Sequence, residues 1–103
     1  MIKVSVLYPN REGGKFDITY YCNKHIPLVQ KLLGAALKGA AVDQGITGMP
    51  PGAPVPYAAM GHLLFDSAES FQKAFEPHAA TIMADIPNYT NLQPLIQLSE
   101  VKL

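Results

Sequence analysis

Tryptophan is absent, cysteine occurs once, and only 16% of the residues are charged. Each shortage excludes something. A lone thiol, Cys22, leaves no partner for an internal disulfide, which fits a reducing compartment and predicts a cytoplasmic protein. Formal charge is zero and lysine and arginine never cluster, so neither nucleic acid nor a membrane surface is expected as a partner. No run approaches the roughly 20 apolar residues that cross a bilayer, and residues 1–8 read as a strand rather than a secretory signal. Three scattered histidines lack ligand spacing, and the glycines form no phosphate- or dinucleotide-binding loop, so no metal and no cofactor are expected.

What the chain does have is apolar residues, 49% of the total. With so little charge, some of that apolar content must be covered by something, and a second copy of the chain is the simplest cover. At 103 residues, positions 1–103 make one domain.

The periodicities predict its order. Ile2, Val4, Val6 and Tyr8 alternate with Lys3, Ser5 and Leu7 in a first strand that Pro9-Asn10 ends. A loop, 11–15, leads to Asp17, a good N-cap for a helix that Gly34 closes. Pro27 lies inside this helix and removes the amide that would bond the Asn23 carbonyl, so a kink or a fresh start is expected just after His25. Residues 35–46 are read as a second strand. Residues 45–56 hold three glycines and four prolines, which forbids regular structure. Tyr57–Phe65 is a third strand, apolar on both faces. Asp66 and Glu69 suggest a capping box opening a second helix, whose apolar stripe runs Ala68, Phe71, Phe75, Ala79, Ile82 with Pro77 interrupting it. Residues 85–91 form a turn-rich linker, and 92–101 a last strand near an edge because of Pro94. The fold class expected is α+β: a ferredoxin-like βαββαβ arrangement, a four-stranded antiparallel sheet with two helices on one face. The other sheet face, with Leu7, Met60 and Leu64, would then be bare. A homodimer closing two sheets into an α+β barrel would cover it.

One residue breaks the apolar pattern. His25 falls in the middle of the first helix's stripe, made by Ile18, Tyr21, Cys22, Leu28, Val29 and Leu32, with Tyr21 one turn earlier on the same side. A core-facing imidazole needs a hydrogen-bond partner. Either another core group satisfies it permanently, or it faces a cavity. Tyr8, Tyr57, Ala59 and Gly61 share the sheet face beneath it, and the last two fill little volume, which favours space for a guest. On the cavity reading, His25 is a general base or a donor to a carbonyl oxygen, and Tyr21 or Tyr57 orients it or the substrate. Asp85 and Asn88 are further candidates, since the helix dipole disfavours a carboxylate at a C-terminus; capping the turn before Pro87 would also account for them. Tyr20 points outward, suiting a subunit contact. Cys22 reads as an unreactive core cysteine, lacking a third group that would make a thiol–imidazole pair catalytic.

Several segments resemble the EthD family: Tyr8-Pro9-Asn10, Phe16-Asp17 with Tyr20-Tyr21, His25-Ile26-Pro27-Leu28, the Pro51-Gly52 loop, His62 to Ser67, and Ala84 to Asn91. That family is named for an association with bacterial degradation of ethyl tert-butyl ether alongside an oxidase system. It is similar to the dimeric α+β barrel superfamily of muconolactone isomerase-like, quinol monooxygenase-like and haem-degrading proteins. The resemblance implies a homodimer with a cleft for a small hydrophobic organic ligand in each subunit, lined by residues 25–28. Two functions fit that implication. One is a catabolic enzyme of oxidoreductase or isomerase type, including cofactor-free oxygenation; the other is a non-catalytic binder that delivers its compound to a partner oxidase.

Overall fold

A computed structural model describes residues 1–103. Four strands, β1 (Ile2–Pro9), β2 (Gly39–Gln44), β3 (Tyr57–Phe65) and β4 (Leu95–Glu100), form one antiparallel sheet in the order β2-β3-β1-β4. Two helical runs pack on one face. This is the ferredoxin-like arrangement the periodicities predict, with β4 at an edge as Pro94 suggests.

The first run, residues 18–33, starts where the sequence says it should: the Asp17 carboxylate accepts from the Tyr20 amide at 3.0 Å. It is α-helical over α1 (Ile18–Tyr20), widens to a π-helical turn at Tyr21–His25, and returns to α-helix over α2 (Ile26–Leu33). The Ile26 amide bonds the Tyr21 carbonyl, five residues back rather than four. Pro27 follows directly after this wider turn, within a helical run whose backbone stays in the α region through His25. The irregularity expected just after His25 lies instead over Tyr21–His25, as a π turn within a continuous helical run rather than a fresh start.

Three boundaries differ from expectation. Residues 34–36 are a 3₁₀ turn, entered through Gly34 at φ +59°, and β2 begins only at Gly39. Alanine-rich 35–38 has too little β propensity to pair before the register opposite Leu64 begins. The second run, 68–88, is capped by Ser67, whose hydroxyl accepts from the Ser70 amide at 3.0 Å, so Asp66 is not the cap and no capping box forms. Glu69 instead pairs with Lys73 one turn on, at 2.9 Å. β4 is shorter than 92–101, since Leu92 is buried beside the helices before the strand starts.

Within the second run, α3 (Ala68–Phe75) and α4 (Ala79–Asp85) are joined by a 3₁₀ turn at Pro77, and a further 3₁₀ turn, Ile86–Asn88, follows. The last turn returns the chain to the first run, with the Asp17 amide bonding the Tyr89 carbonyl at 2.7 Å and Phe16 bridging Thr90.

The helix-facing side of the sheet holds two clusters. One centres on Val4, Val29, Leu33, Leu63, Phe65 and Ile82; the other is more aromatic, with Tyr8, Tyr21, Ile26, Ala59, Tyr89 and Leu92. On the opposite side no residue is fully buried: Lys3, Ser5, Leu7, Met60, His62 and Leu64 are all half-exposed. His62 lies in a polar row there, with Ser5 Oγ at 2.9 Å from Nδ1 and Asp43 at 3.4 Å from Nε2. No helix is long and apolar enough to cross a membrane.

Candidate functional site

The π turn decides where the site lies. In a turn wider than 3.6 residues, side chains at i and i+4 come closer to eclipse than in an α-helix. Tyr21 and His25 accordingly lie stacked, rings 13° apart and 5.4 Å between centroids, both directed at the sheet. Gly61 of β3 makes room for Tyr21: a Cβ there would overlap the tyrosine hydroxyl. Part of the space expected opposite His25 is thus taken by that hydroxyl, and Ala59 is packed into the aromatic cluster.

His25 is 4% exposed and fully hydrogen-bonded. Its Nδ1 lies 2.9 Å from Asp85 Oδ2 at the end of α4. The other carboxylate oxygen accepts from the Tyr20 hydroxyl at 2.7 Å and from the Asn88 amide at 2.9 Å. Burial works to raise the Asp85 pKa, but the hydrogen bonds from Asn88, His25 and Tyr20, with the His25 charge, outweigh it and hold the carboxyl below its usual range. An ionised carboxylate can only accept, so Nδ1 carries a hydrogen, and in the neutral form of the ring Nε2 presents a lone pair. That lone pair faces the Tyr89 hydroxyl at 3.5 Å, and Tyr89 in turn lies 2.6 Å from the Tyr8 hydroxyl. The rings of Tyr8, Phe16, Tyr21 and Tyr89 close around this chain in edge-on and tilted pairs.

Beside His25 lies a cavity of about 70 Å³ between the helices and the sheet. Thirteen of its sixteen lining residues are hydrophobic, and none is lysine, arginine, aspartate or glutamate, so no fixed charge awaits an anionic or cationic guest. Val4, Val6, Leu63, Ile82 and Phe71 form its body. Met83 and Ile96, each more than two-fifths exposed, stand where it approaches the surface between α4 and β4. Val6 opposes Ile96 across β1 and β4, so an edge strand forms part of this wall.

Of the residues singled out from the sequence, His25, Tyr21, Tyr8 and Gly61 line the cavity. Asp85 and Asn88 do not; they stand behind His25 and hold it. Asp85 thus has a partner that offsets its unfavourable place at a helix C-terminus. Tyr57 is outside the lining, at the end of β3 opposite Pro9. Two expectations are corrected. Tyr20, half-exposed, does not point freely outward but donates a hydrogen bond to Asp85. Cys22 is exposed rather than in the core. Tyr89 is the residue the sequence did not suggest. It sits in a polar, turn-rich stretch, and the only available signal was an aromatic side chain placed where a loop would normally be hydrophilic. No three histidine, cysteine, aspartate or glutamate side chains come together in a way that could hold a metal ion.

Comparison with known proteins gives a consistent result. The sequence profile of the EthD domain matches residues 15–93. An uncharacterized 11.0 kDa protein of the thcB-thcC intergenic region of Rhodococcus erythropolis is 30% identical over 93 residues, covering 88% of this chain and 85% of that one. A solved EthD-like protein from Ralstonia eutropha JMP134 is 45% identical and superposes with a TM-score of 0.95, covering 99% of this chain and 92% of the other. An ethyl tert-butyl ether degradation family protein from Bacillus halodurans C-125, at 23% identity and a TM-score of 0.75, covers 99% of both chains and shares the fold. So does a dimeric ferredoxin-like protein of unknown function from Thermobifida fusca YX, at 17% identity, a TM-score of 0.59 and coverage of 97% and 90%.

Proposed function

The chain belongs to the EthD domain family, and on that footing we propose that it binds a small, neutral, hydrophobic organic compound between helices and sheet and moves a proton on it through His25. The observation that carries this reading is the buried imidazole itself. It stands at the wall of an otherwise apolar cavity, its Nδ1 fixed on an ionised carboxylate at 2.9 Å and its Nε2 facing the Tyr89 hydroxyl at 3.5 Å.

The chemistry follows from that placement. A guest with a weakly acidic O–H, or a C–H beside a carbonyl, gives up a proton toward Nε2, and Asp85 stabilises the imidazolium that results. Apolar walls exclude water, which strengthens the His25–Asp85 attraction and keeps the guest's developing charge from being solvated elsewhere. Returning the proton to another atom of the same guest would make an isomerase. Leaving an electron-rich anion in a dry cavity would suit a cofactor-free oxidation by dioxygen. A binder that hands its compound to a partner oxidase would use the same cavity without turnover. We further propose that the working form is a homodimer joined through the bare sheet face, since that face carries Leu7, Met60, Leu64 and the exposed Leu95, and a relative of the same fold is described as dimeric.

The test is His25→Ala, with the fold checked by circular dichroism, against a panel of neutral phenols, ketones and ethers followed by native mass spectrometry and product analysis. The expected result is retention of one class of guest by the wild type, with turnover reduced about 10²–10⁴-fold in the variant. Binding without turnover in either protein favours the carrier. Wild-type protein that retains no member of the panel removes the proposal.

A further inference from the structure

Three phenolic hydroxyls remain unexplained by a His25–Asp85 pair alone. Tyr8, Tyr21 and Tyr89 are each no more than 3% exposed, and phenylalanine would fill the same space without hydroxyls that must be partnered. Their arrangement has a direction. Asp85 fixes a hydrogen on His25 Nδ1, so in the neutral ring, the form that acts as a base, Nε2 accepts and the Tyr89 hydroxyl facing it donates. Tyr89 spends its one hydrogen there, so the 2.6 Å bond to Tyr8 has Tyr8 as donor and the Tyr89 oxygen as acceptor. The Tyr21 ring packs edge-on against that of Tyr8, with centroids 5.7 Å apart, and stands outside these bonds. Both hydroxyl donors point toward His25. Tyr8 lines the cavity and Tyr89 does not.

Resting on the reading of His25 as a base, we infer that Tyr8 and Tyr89 form a proton relay: Tyr8 meets the guest, and Tyr89 links Tyr8 to His25 Nε2. In one concerted shift the guest's O–H or C–H bond breaks and its proton joins the Tyr8 oxygen. Tyr8 passes its own hydrogen to Tyr89, and Tyr89 passes its own to Nε2. Two O–H bonds are remade as two break, one N–H bond forms, and the charge separates into a guest anion and a His25 imidazolium against Asp85. Nothing is oxidised or reduced, and no further reactant is needed. Burial pushes all three phenols far above their usual pKa. None is an anion at rest, and each keeps the hydrogen it has to hand on. The 3.5 Å step between Tyr89 and Nε2 is the slack link, of the kind that tightens when a guest fills the site. Tyr8 and Tyr89 both carry the travelling proton, Tyr8 at the cavity wall and Tyr89 behind it.

The test needs no guest, so it fails separately from the binding proposal. Long-range ¹H–¹⁵N spectra of the uniformly labelled full chain report both ring nitrogens of each histidine. The relay predicts His25 in the Nδ1–H form, with the Nε2 resonance moved upfield from the position of an unbonded imine nitrogen. Tyr89→Phe should return Nε2 to the unbonded position while Nδ1 stays where it is, and Tyr8→Phe should move it part of the way. If Tyr89→Phe does not fold, the wild-type position and Tyr8→Phe decide the matter. A wild-type Nε2 already at the unbonded position, or one that none of the folded variants moves, overturns the relay.

Discussion

Asp85 shows how a single residue can look wrong in a sequence and be right in a structure. It ends α4, where the helix dipole repels it, yet it accepts three hydrogen bonds and orients the only buried imidazole. Removing its charge should therefore cost stability in a pH-dependent way. Its folded pKa lies below the unfolded value of 3.8, so its contribution is fully present above that value and fades as pH falls through the folded one. Asp85→Asn should lose about 2 kcal/mol at neutral pH, the scale of hydrogen bonds to a charged group, with the gap to wild type closing below about pH 4. Urea titrations at several pH values measure this; a gap that does not depend on pH would assign the loss to packing instead. Gly61 offers a second check. Gly61→Ala drives a methyl into the Tyr21 hydroxyl, and Tyr21 is too tightly packed to yield, so overpacking of about 1–3 kcal/mol is expected. Adding Tyr21→Phe should recover much of it. Equal losses in the single and double variants would show that the contact is not what makes Gly61 necessary.

At the scale of the elements, β1 is legible from its period-two alternation, β3 from a nine-residue run apolar on both faces, and the Asp17 cap because its chemistry is local. The site was half legible. An imidazole in an apolar stripe is visible to a helical wheel, so His25, Tyr21 and Tyr8 could be named. The wheel places Cys22 only at the edge of that stripe, about 100° from Tyr21, and the residue is exposed; it records nothing of the second helical run, whose Asp85 holds the Tyr20 hydroxyl. Tyr89 depends on a long-range contact between the end of the second helical run and Asp17, and no local pattern records it. The Ser67 cap is similar in kind, since Asp66 and Ser67 are both good caps and only the backbone path chooses. Ser67→Ala should lower stability by about 1 kcal/mol whereas Asp66→Ala, an exposed residue whose ion pair with Lys38 is 3.9 Å long, should change it by less than about 0.5 kcal/mol. Thermal denaturation of the two variants separates them; equal losses would put the cap elsewhere.

The whole molecule has an unbalanced surface. Only 16 of 103 residues are buried, and all the helices lie on one side of the sheet. A sandwich of two such sheets would hide Met60 and Leu64 and leave the cavities free on the outside. Leu64→Glu, which puts a charge on that face, should convert a dimer to a monomer in light scattering while the monomer keeps its helical circular dichroism. An unchanged oligomeric state would place the contact on another surface.

The account as a whole stands on the cavity beside His25. The most direct measurement is an NMR titration of the full chain with a small neutral phenol, following backbone and ring signals residue by residue. The predicted outcome is saturable shifts at His25, Tyr8, Val29, Leu63, Ile82 and Ile96, all of which line that space. Saturable shifts confined to the outer sheet face around Met60 and Leu64, with His25 unmoved, would contradict it.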